Sequence, residues 1–211
     1  ERKNFSTTTF LKSCKSAAIL GTLQAGYNDF PYLGEETHNI VLGESLLGVS
    51  ITGWMDMSEL FNPELLRKAV SVIKETNEEV ANIIGINPAA RLTCVKPSGN
   101  ASVIGGTPSG IHAEHSRRYF RIMQLNKETD TAKWVKLNMP IILEESKWSA
   151  TNSDYVVYTP IENKEKTILK DEIPGVKHLE LIKIVQENWV IPGTIVERGY
   201  SKKVTHNVSN T

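Results

Sequence analysis

Leu92-Thr93-Cys94-Val95-Lys96-Pro97-Ser98-Gly99-Asn100-Ala101-Ser102-Val103-Ile104-Gly105-Gly106 is the most informative stretch of this chain. Residues 92–95 are short, apolar and β-branched, and read as a buried strand. They run straight into a turn of small residues. Residues 101–104 then read as a short helix that stops at the glycine pair. A strand that feeds such a turn, with a helix leaving it, aims consecutive backbone N–H groups at one point, where the helix dipole favours an anion. Ser98, Asn100 and Ser102 add short side-chain donors, and Gly99 lets a ligand come close to the backbone. Phosphate is the natural guest, although the glycine spacing is neither that of a Walker loop nor that of a dinucleotide fingerprint. Small polar residues are also ordinary turn chemistry. The pattern by itself therefore leaves a phosphate site and a plain capped turn both open.

Outward from this turn the chain alternates helical and strand-like segments. Ser6-Thr7-Thr8-Thr9 offers N-cap hydroxyls ahead of Phe10, Leu11, Ala18 and Leu23, with Gly26 as the stop. Asn62-Pro63 opens the clearest helix, an N-cap followed by proline at the first helical position, and Gly85 ends it. Leu66, Ala69, Val70, Ile73, Val80, Ile83 and Ile84 keep the helical period between them. Leu46–Ile51, Arg118–Met123 and Asp154–Tyr158 read as strands, Thr129–Leu137 and Leu179–Val190 as helices, and Lys203–Thr211 as a closing strand. Strands separated by helical patterns predict an α/β fold with mostly parallel pairing. The polar segment near 163–177 reads as a surface insertion within a single domain over 1–211.

Composition limits the function classes. The 211 residues carry 24 basic and 24 acidic side chains, so neither nucleic acid nor an anionic membrane is an expected partner. No apolar run approaches the roughly 20 residues a membrane-spanning helix needs. Cys14 and Cys94 are too few for a disulfide scaffold or a cysteine-built metal site, and the expected compartment is reducing and cytoplasmic. The chain starts without Met and stops inside a strand-like run, which leads us to expect a piece of a longer protein.

Cys94-Val95-Lys96-Pro97-Ser98-Gly99-Asn100-Ala101-Ser102 resembles the KPSGT-type loop of adenosylcobalamin-dependent (class II) ribonucleotide reductases. Gly110-Ile111-His112 and Arg118-Tyr119-Phe120-Arg121-Ile122 are similar to the segment that follows that loop in the family. Leu47-Gly48-Val49-Ser50-Ile51-Thr52-Gly53 resembles its "GIGITG" strand. Val185-Gln186-Glu187-Asn188-Trp189 and Asn207-Val208-Ser209-Asn210-Thr211 resemble elements near the end of its catalytic barrel. Each match alone is weak, whereas the ordered set is specific.

The resemblance implies the C-terminal portion of a ten-stranded α/β barrel that reduces ribonucleoside triphosphates at the 2′ carbon. In the family a thiyl radical, generated through adenosylcobalamin, removes the 3′ hydrogen. The 2′ hydroxyl leaves as water, and a cysteine pair supplies the electrons. Carried over, Ser98, Gly99, Asn100, Ala101 and Ser102 would form the substrate-phosphate cradle. Asn100 stands where the family commonly has Thr, and it still offers a donor. The family's "N-x-C-x-E" radical loop is absent from this sequence. No catalytic residue is therefore assigned, and the chain is expected to be inactive alone. The implied partners are the N-terminal remainder of the reductase, the triphosphate substrate and a thioredoxin-type reductant. Two other readings stay open: a fragment of a class I-type diphosphate reductase large subunit, and an inactive nucleotide-binding module.

Other groups read as structural. Cys14 and Cys94 resemble small buried hydrophobes. The four tryptophans suit core packing better than base stacking. Arg117 and Arg121 fit the wet side of an alternating strand, whereas His112 is left open. Glu35-Glu36 near His38 fits an acidic first turn of a helix. The histidines lack partners at metal-ligand spacing, so no metal site is assigned.

Overall fold

The computed structural model describes residues 5–195. The strand expected over Lys203–Thr211, and with it the match at 207–211, lies outside the described residues. The helical elements are α1 (Thr7–Ala25), α2 (Glu35–Glu44), α3 (Pro63–Ile84), α4 (Asn100–Gly105), α5 (Asp130–Asn138) and α6 (Gly175–Val185). The strands are β1 (Arg118–Asn126), β2 (Leu143–Glu145) and β3 (Asp154–Glu162). The chain divides into two compact units, one running to Glu114 and resuming at Thr167, the other His115–Lys166.

In the first unit the caps fall where local chemistry puts them. The Ser6 side chain accepts from the Thr9 amide at the start of α1. Asn62 Oδ1 accepts from the amides of Glu64 (2.9 Å) and Leu65 (3.2 Å) at the start of α3. Gly85 ends α3 in the left-handed region at φ 75°. The buried face of α3, Leu66, Ala69, Val70 and Ile73, packs into one core with Ala18, Leu92, Val185, Val190 and the fully buried Trp54 and Trp189. Two polar ties cross this core. Asn77 donates to Thr22 Oγ1 at 2.9 Å and accepts from the Ala89 amide at 2.9 Å, so the amide inside the helix pair is satisfied. Arg91 meets Glu44 at 3.3 Å with both side chains largely buried.

The expected strands at 46–51 and 92–95 reduce to a parallel bridge, Val49↔Thr93. Around it Leu47 donates to Arg91 O, Val49 to Leu92 O and Cys94 to Val49 O, at 2.9–3.0 Å. Trp189 holds the 92–95 segment from the other side: its Nε1 donates to Cys94 O at 3.1 Å, while Thr93 Oγ1 donates to Trp189 O at 2.5 Å. The helix expected over 179–190 begins earlier, at Gly175 after Pro174, and its α-helical part ends at Val185. Gln186–Val190 continues it as a π-helical turn, and the wider winding buries Asn188, Trp189 and Val190 in succession.

The second unit corrects the expectation of parallel pairing. Its sheet has the order β1-β3-β2, and both pairings are antiparallel. The register sets Tyr119 against Ile161, Met123 against Val157 and Leu125 against Tyr155. A crossover helix would have to carry the chain over the sheet to make neighbours parallel. Here β2 turns directly back into β3 through a tight reversal, with Asn152 at φ 53° and Ser149 Oγ accepting from the Ser153 amide at 2.9 Å. Two tryptophans also depart from the core expectation: Trp134 is 57% and Trp148 75% exposed, because a unit this small cannot bury them.

The segment near 163–177 is polar in composition but holds an internal anchor. Thr167 is buried, and Ile168 donates to Met55 O at 3.0 Å and accepts from the Glu114 amide at 3.2 Å. No helix among the described residues is long and apolar enough to cross a membrane.

Candidate functional site

Strand-like residues 92–95, buried throughout, deliver an exposed turn at Lys96-Pro97. From there the backbone winds into α4 with Gly99 at the N-cap position in right-handed helical geometry and without a side-chain cap. The first amides of a helix have no intrahelical acceptor. At Gly99, Asn100 and Ala101, all exposed, no acceptor among the described residues takes them up. The amide of Ser102 differs, since Ser98 Oγ accepts it at 3.0 Å. These three outward amides are the part of the sequence pattern that remains available to a ligand.

The side chains behave otherwise. Ser102 is buried, and its hydroxyl donates back to Ser98 O, so it staples the turn. Ser98 Oγ, having accepted from the Ser102 amide, keeps its hydroxyl hydrogen. Asn100 and Ala101 sit exposed on the first turn of α4. Gly99 has φ −67° and ψ −64°, which any residue adopts, and a Cβ built there meets nothing within 4 Å. Neither backbone conformation nor crowding inside the chain calls for glycine at this position.

A second run of small residues supports the turn, and within it Thr107, Pro108 and Ser109 carry no signal in the sequence motifs. Ser109 Oγ accepts from the Ser98 amide at 2.7 Å and donates to Ser98 O at 3.1 Å. Thr52 Oγ1 donates to Pro108 O and accepts from the Gly110 amide, both at 3.0 Å. Gly110 lies at φ 53°, where a Cβ would stand 2.6 Å from Lys96 O. Gly53, at φ 82°, leaves the space that Thr107 Oγ1 occupies; a Cβ there would stand 2.2 Å away. Thr107 Oγ1 donates to Asp56 Oδ2 at 2.7 Å, and Thr167 Oγ1 donates to Asp56 Oδ1. The legible signal was the density of Gly, Thr, Pro and Ser over 105–110, directly after α4.

The remaining candidates make the following contacts. Burial pushes the Cys14 thiol up to about 11. Burial also raises Cys94, against smaller lowering effects of the Lys96 charge and the Ser50 hydrogen bond, so neither thiol is a ready nucleophile. Arg117 is half-buried rather than wet, and its guanidinium donates to Lys164 O. Arg121 donates to Tyr119 Oη at 3.0 Å, and exposed Arg118 pairs with Glu162 at 2.7 Å. His112 is half-buried, and its amide donates to Ser109 O at 3.0 Å. Glu35 and Glu36 do lie in the first turn of α2, while His38 Nδ1 faces Asn28 O. Among the described residues no group of three or more His, Cys, Asp or Glu is placed to hold a metal ion.

No protein-family model matches the chain. A Dictyostelium discoideum protein described as a probable adenosylcobalamin-dependent ribonucleoside-triphosphate reductase is 23% identical over 190 residues, which is 85% of this chain and 24% of that protein. A crystal structure of a B12-dependent (class II) ribonucleotide reductase superposes with a TM-score of 0.67 at 14% identity, covering 83% of this chain and 29% of that one. By sequence and by fold, the chain is similar to about a quarter of an adenosylcobalamin-dependent (class II) ribonucleotide reductase.

Proposed function

We propose that this chain supplies the substrate-phosphate loop of a ribonucleoside-triphosphate reductase and forms the C-terminal portion of its ten-stranded barrel, as one partial domain over 1–211. The observation that carries the reading is the set of outward amides at Gly99, Asn100 and Ala101 beside a glycine for which the chain has no internal need. The reading assigns those amides, the Ser98 hydroxyl and the Asn100 side chain to the phosphate oxygens. Ser102 has a supporting part, since its hydroxyl is turned inward.

Thiyl-radical chemistry belongs to the whole reductase in this proposal. The sequence holds no "N-x-C-x-E" loop, and both of its cysteines are buried with raised thiols. Neither the open groove of the first unit nor His38 or His178 offers a corrin ligand. The open groove of the first unit, bordered by Phe5, Thr7, Phe61, Pro63 and Lys68, has no imidazole. His38 and His178 both lie against backbone carbonyls, at 3.2 Å from Asn28 O and 3.1 Å from Ile111 O. The N-terminal remainder would bring the cofactor together with the radical loop, and a thioredoxin-type protein would restore the thiols. The reaction would take place in the cytoplasm.

Calorimetry on the full chain tests the phosphate assignment. A ribonucleoside triphosphate is expected to bind, and the unphosphorylated ribonucleoside is not. Gly99→Ala puts a methyl group where the ligand would approach and should weaken triphosphate binding about tenfold, equivalent to roughly 1.4 kcal/mol. Equal affinity in the two proteins would remove the backbone cradle. Turnover is expected only after addition of a complementing N-terminal polypeptide and adenosylcobalamin. Turnover there without adenosylcobalamin would favour a class I-type reductase instead.

A further inference from the structure

We infer that Ser109 is the positioning residue of the phosphate turn, holding the Gly99–Ala101 amides in place without touching the ligand. The inference rests on the phosphate assignment for its purpose, but its geometry is independent of it. Ser98 immediately precedes the outward amides, and one side chain takes both of its backbone groups. The Ser98 amide donates to Ser109 Oγ at 2.7 Å, and the same hydroxyl donates to Ser98 O at 3.1 Å. A reciprocal pair of this kind does for one residue what a neighbouring strand would do, and it fixes the peptide planes on both sides of Ser98.

Ser109 is itself held at both ends. On one side Pro108 O accepts from Thr52 Oγ1 and from the Gly53 amide, each at 3.0 Å. On the other, Gly110 accepts no side chain, because a Cβ would meet Lys96 O at 2.6 Å, and its amide donates to Thr52 Oγ1 at 3.0 Å. One residue further back, Thr107 is tied to the buried carboxylate of Asp56 at 2.7 Å, and Thr167 bonds to the other oxygen of that carboxylate. A rigid frame thus ends in one hydroxyl aimed at the turn. Pre-organised donors bind an anion better than donors that must first be ordered, so the loss of this hydroxyl should appear in affinity.

The test uses the full chain with Ser109→Ala, which deletes the hydroxyl, and Ser109→Thr, which keeps it. Hydrogen exchange of peptides covering 96–103 is measured without ligand, and binding of inorganic tripolyphosphate is measured by calorimetry. Ser109→Ala should speed exchange in that segment and weaken tripolyphosphate about tenfold, and Ser109→Thr should restore both. If wild type binds and Ser109→Ala binds equally well, the positioning role is overturned while the phosphate assignment stands. If wild type does not bind, the phosphate assignment fails. Exchange then decides alone: a rise in Ser109→Ala that Thr reverses upholds Ser109 as the holder of the turn, and unchanged exchange overturns it. Should Ser109→Ala not fold, Ser109→Cys, nearly isosteric with a weakly bonding thiol, is read against the same outcomes.

Discussion

At the scale of single residues, the glycines around the turn separate into two kinds, and the difference can be measured. Gly110 and Gly53 sit at positive φ with a neighbour inside the space of a Cβ, so the fold itself requires them. Gly99 sits in helical geometry with open space around it. Gly110→Ala should therefore cost about 2 kcal/mol or more of stability through strain and a clash with Lys96 O. Gly99→Ala should leave stability unchanged or raise it by about 0.5 kcal/mol, since alanine restricts the unfolded chain. Urea denaturation of the two variants checks the contrast; equal losses would show that Gly99 is structural too. Cys14 gives a pH signature. Its folded thiol is raised to about 11 from 9.0 by burial, so the folded state holds its proton over a range in which the unfolded state releases it. The stabilisation is complete below pH 9.0 and is lost as pH rises toward about 11. Urea midpoints at pH 8 and pH 10.5 should fall less in Cys14→Ala than in wild type, and identical slopes would show that burial of this thiol is not coupled to folding.

At the scale of elements, caps were the most legible feature. Asn62 and Gly85 bound α3 as the sequence predicts, and of the hydroxyls at 6–9 it is Ser6 that caps α1, because a cap is a contact between residues two to four apart and needs no tertiary partner. Asn62→Ala should cost about 1 kcal/mol, read as a lower urea midpoint, because it leaves the amides of Glu64 and Leu65 without their acceptor. No change would mean that water replaces the cap. Strand partners were less legible. Residues 118–123 and 154–158 show a strand's composition, yet nothing within either segment states the direction of its neighbour. That direction came from the tertiary path: α5 and β2 intervene before β3 returns antiparallel to β1, and the reversal at 146–153, with Asn152 at positive φ, sets β2 against β3. The arginines illustrate the same limit: Arg117 looks like a wet residue by alternation, and a carbonyl 47 positions away takes its guanidinium.

At the scale of the molecule, each unit shows water an unusual amount of apolar surface. In the first, Tyr32 and Ile104 are 98% and 88% exposed, with Leu20, Tyr27 and Ile83 also uncovered. In the second, Phe120 and Ile122 lie exposed on one face of the sheet, and Leu137 and Ile141 are exposed nearby in sequence. Monomeric proteins seldom leave so many large apolar side chains wet. The chain also spans about a quarter of the curated relative it matches. The isolated chain should therefore self-associate or bind a complementing polypeptide tightly. Light scattering over a concentration series checks this, and a monodisperse monomer at all concentrations that unfolds cooperatively would contradict it.

The sequence alone determined where the main helices lie, the caps of α3, the turn-to-helix path through 96–106 and the family resemblance. These depend on spacing along the chain, where each residue meets neighbours a few positions away. Tertiary structure decided which donors of the turn stay free, that Ser102 points inward, that the second unit's sheet is antiparallel, and that two tryptophans lie outside the core. It also brought together Ser98 with Ser109 and Asp56 with Thr167, which are 11 and 111 positions apart. A hydroxyl has the same local propensity whether it faces a ligand or a buried carbonyl, and only the packing of distant segments selects between the two.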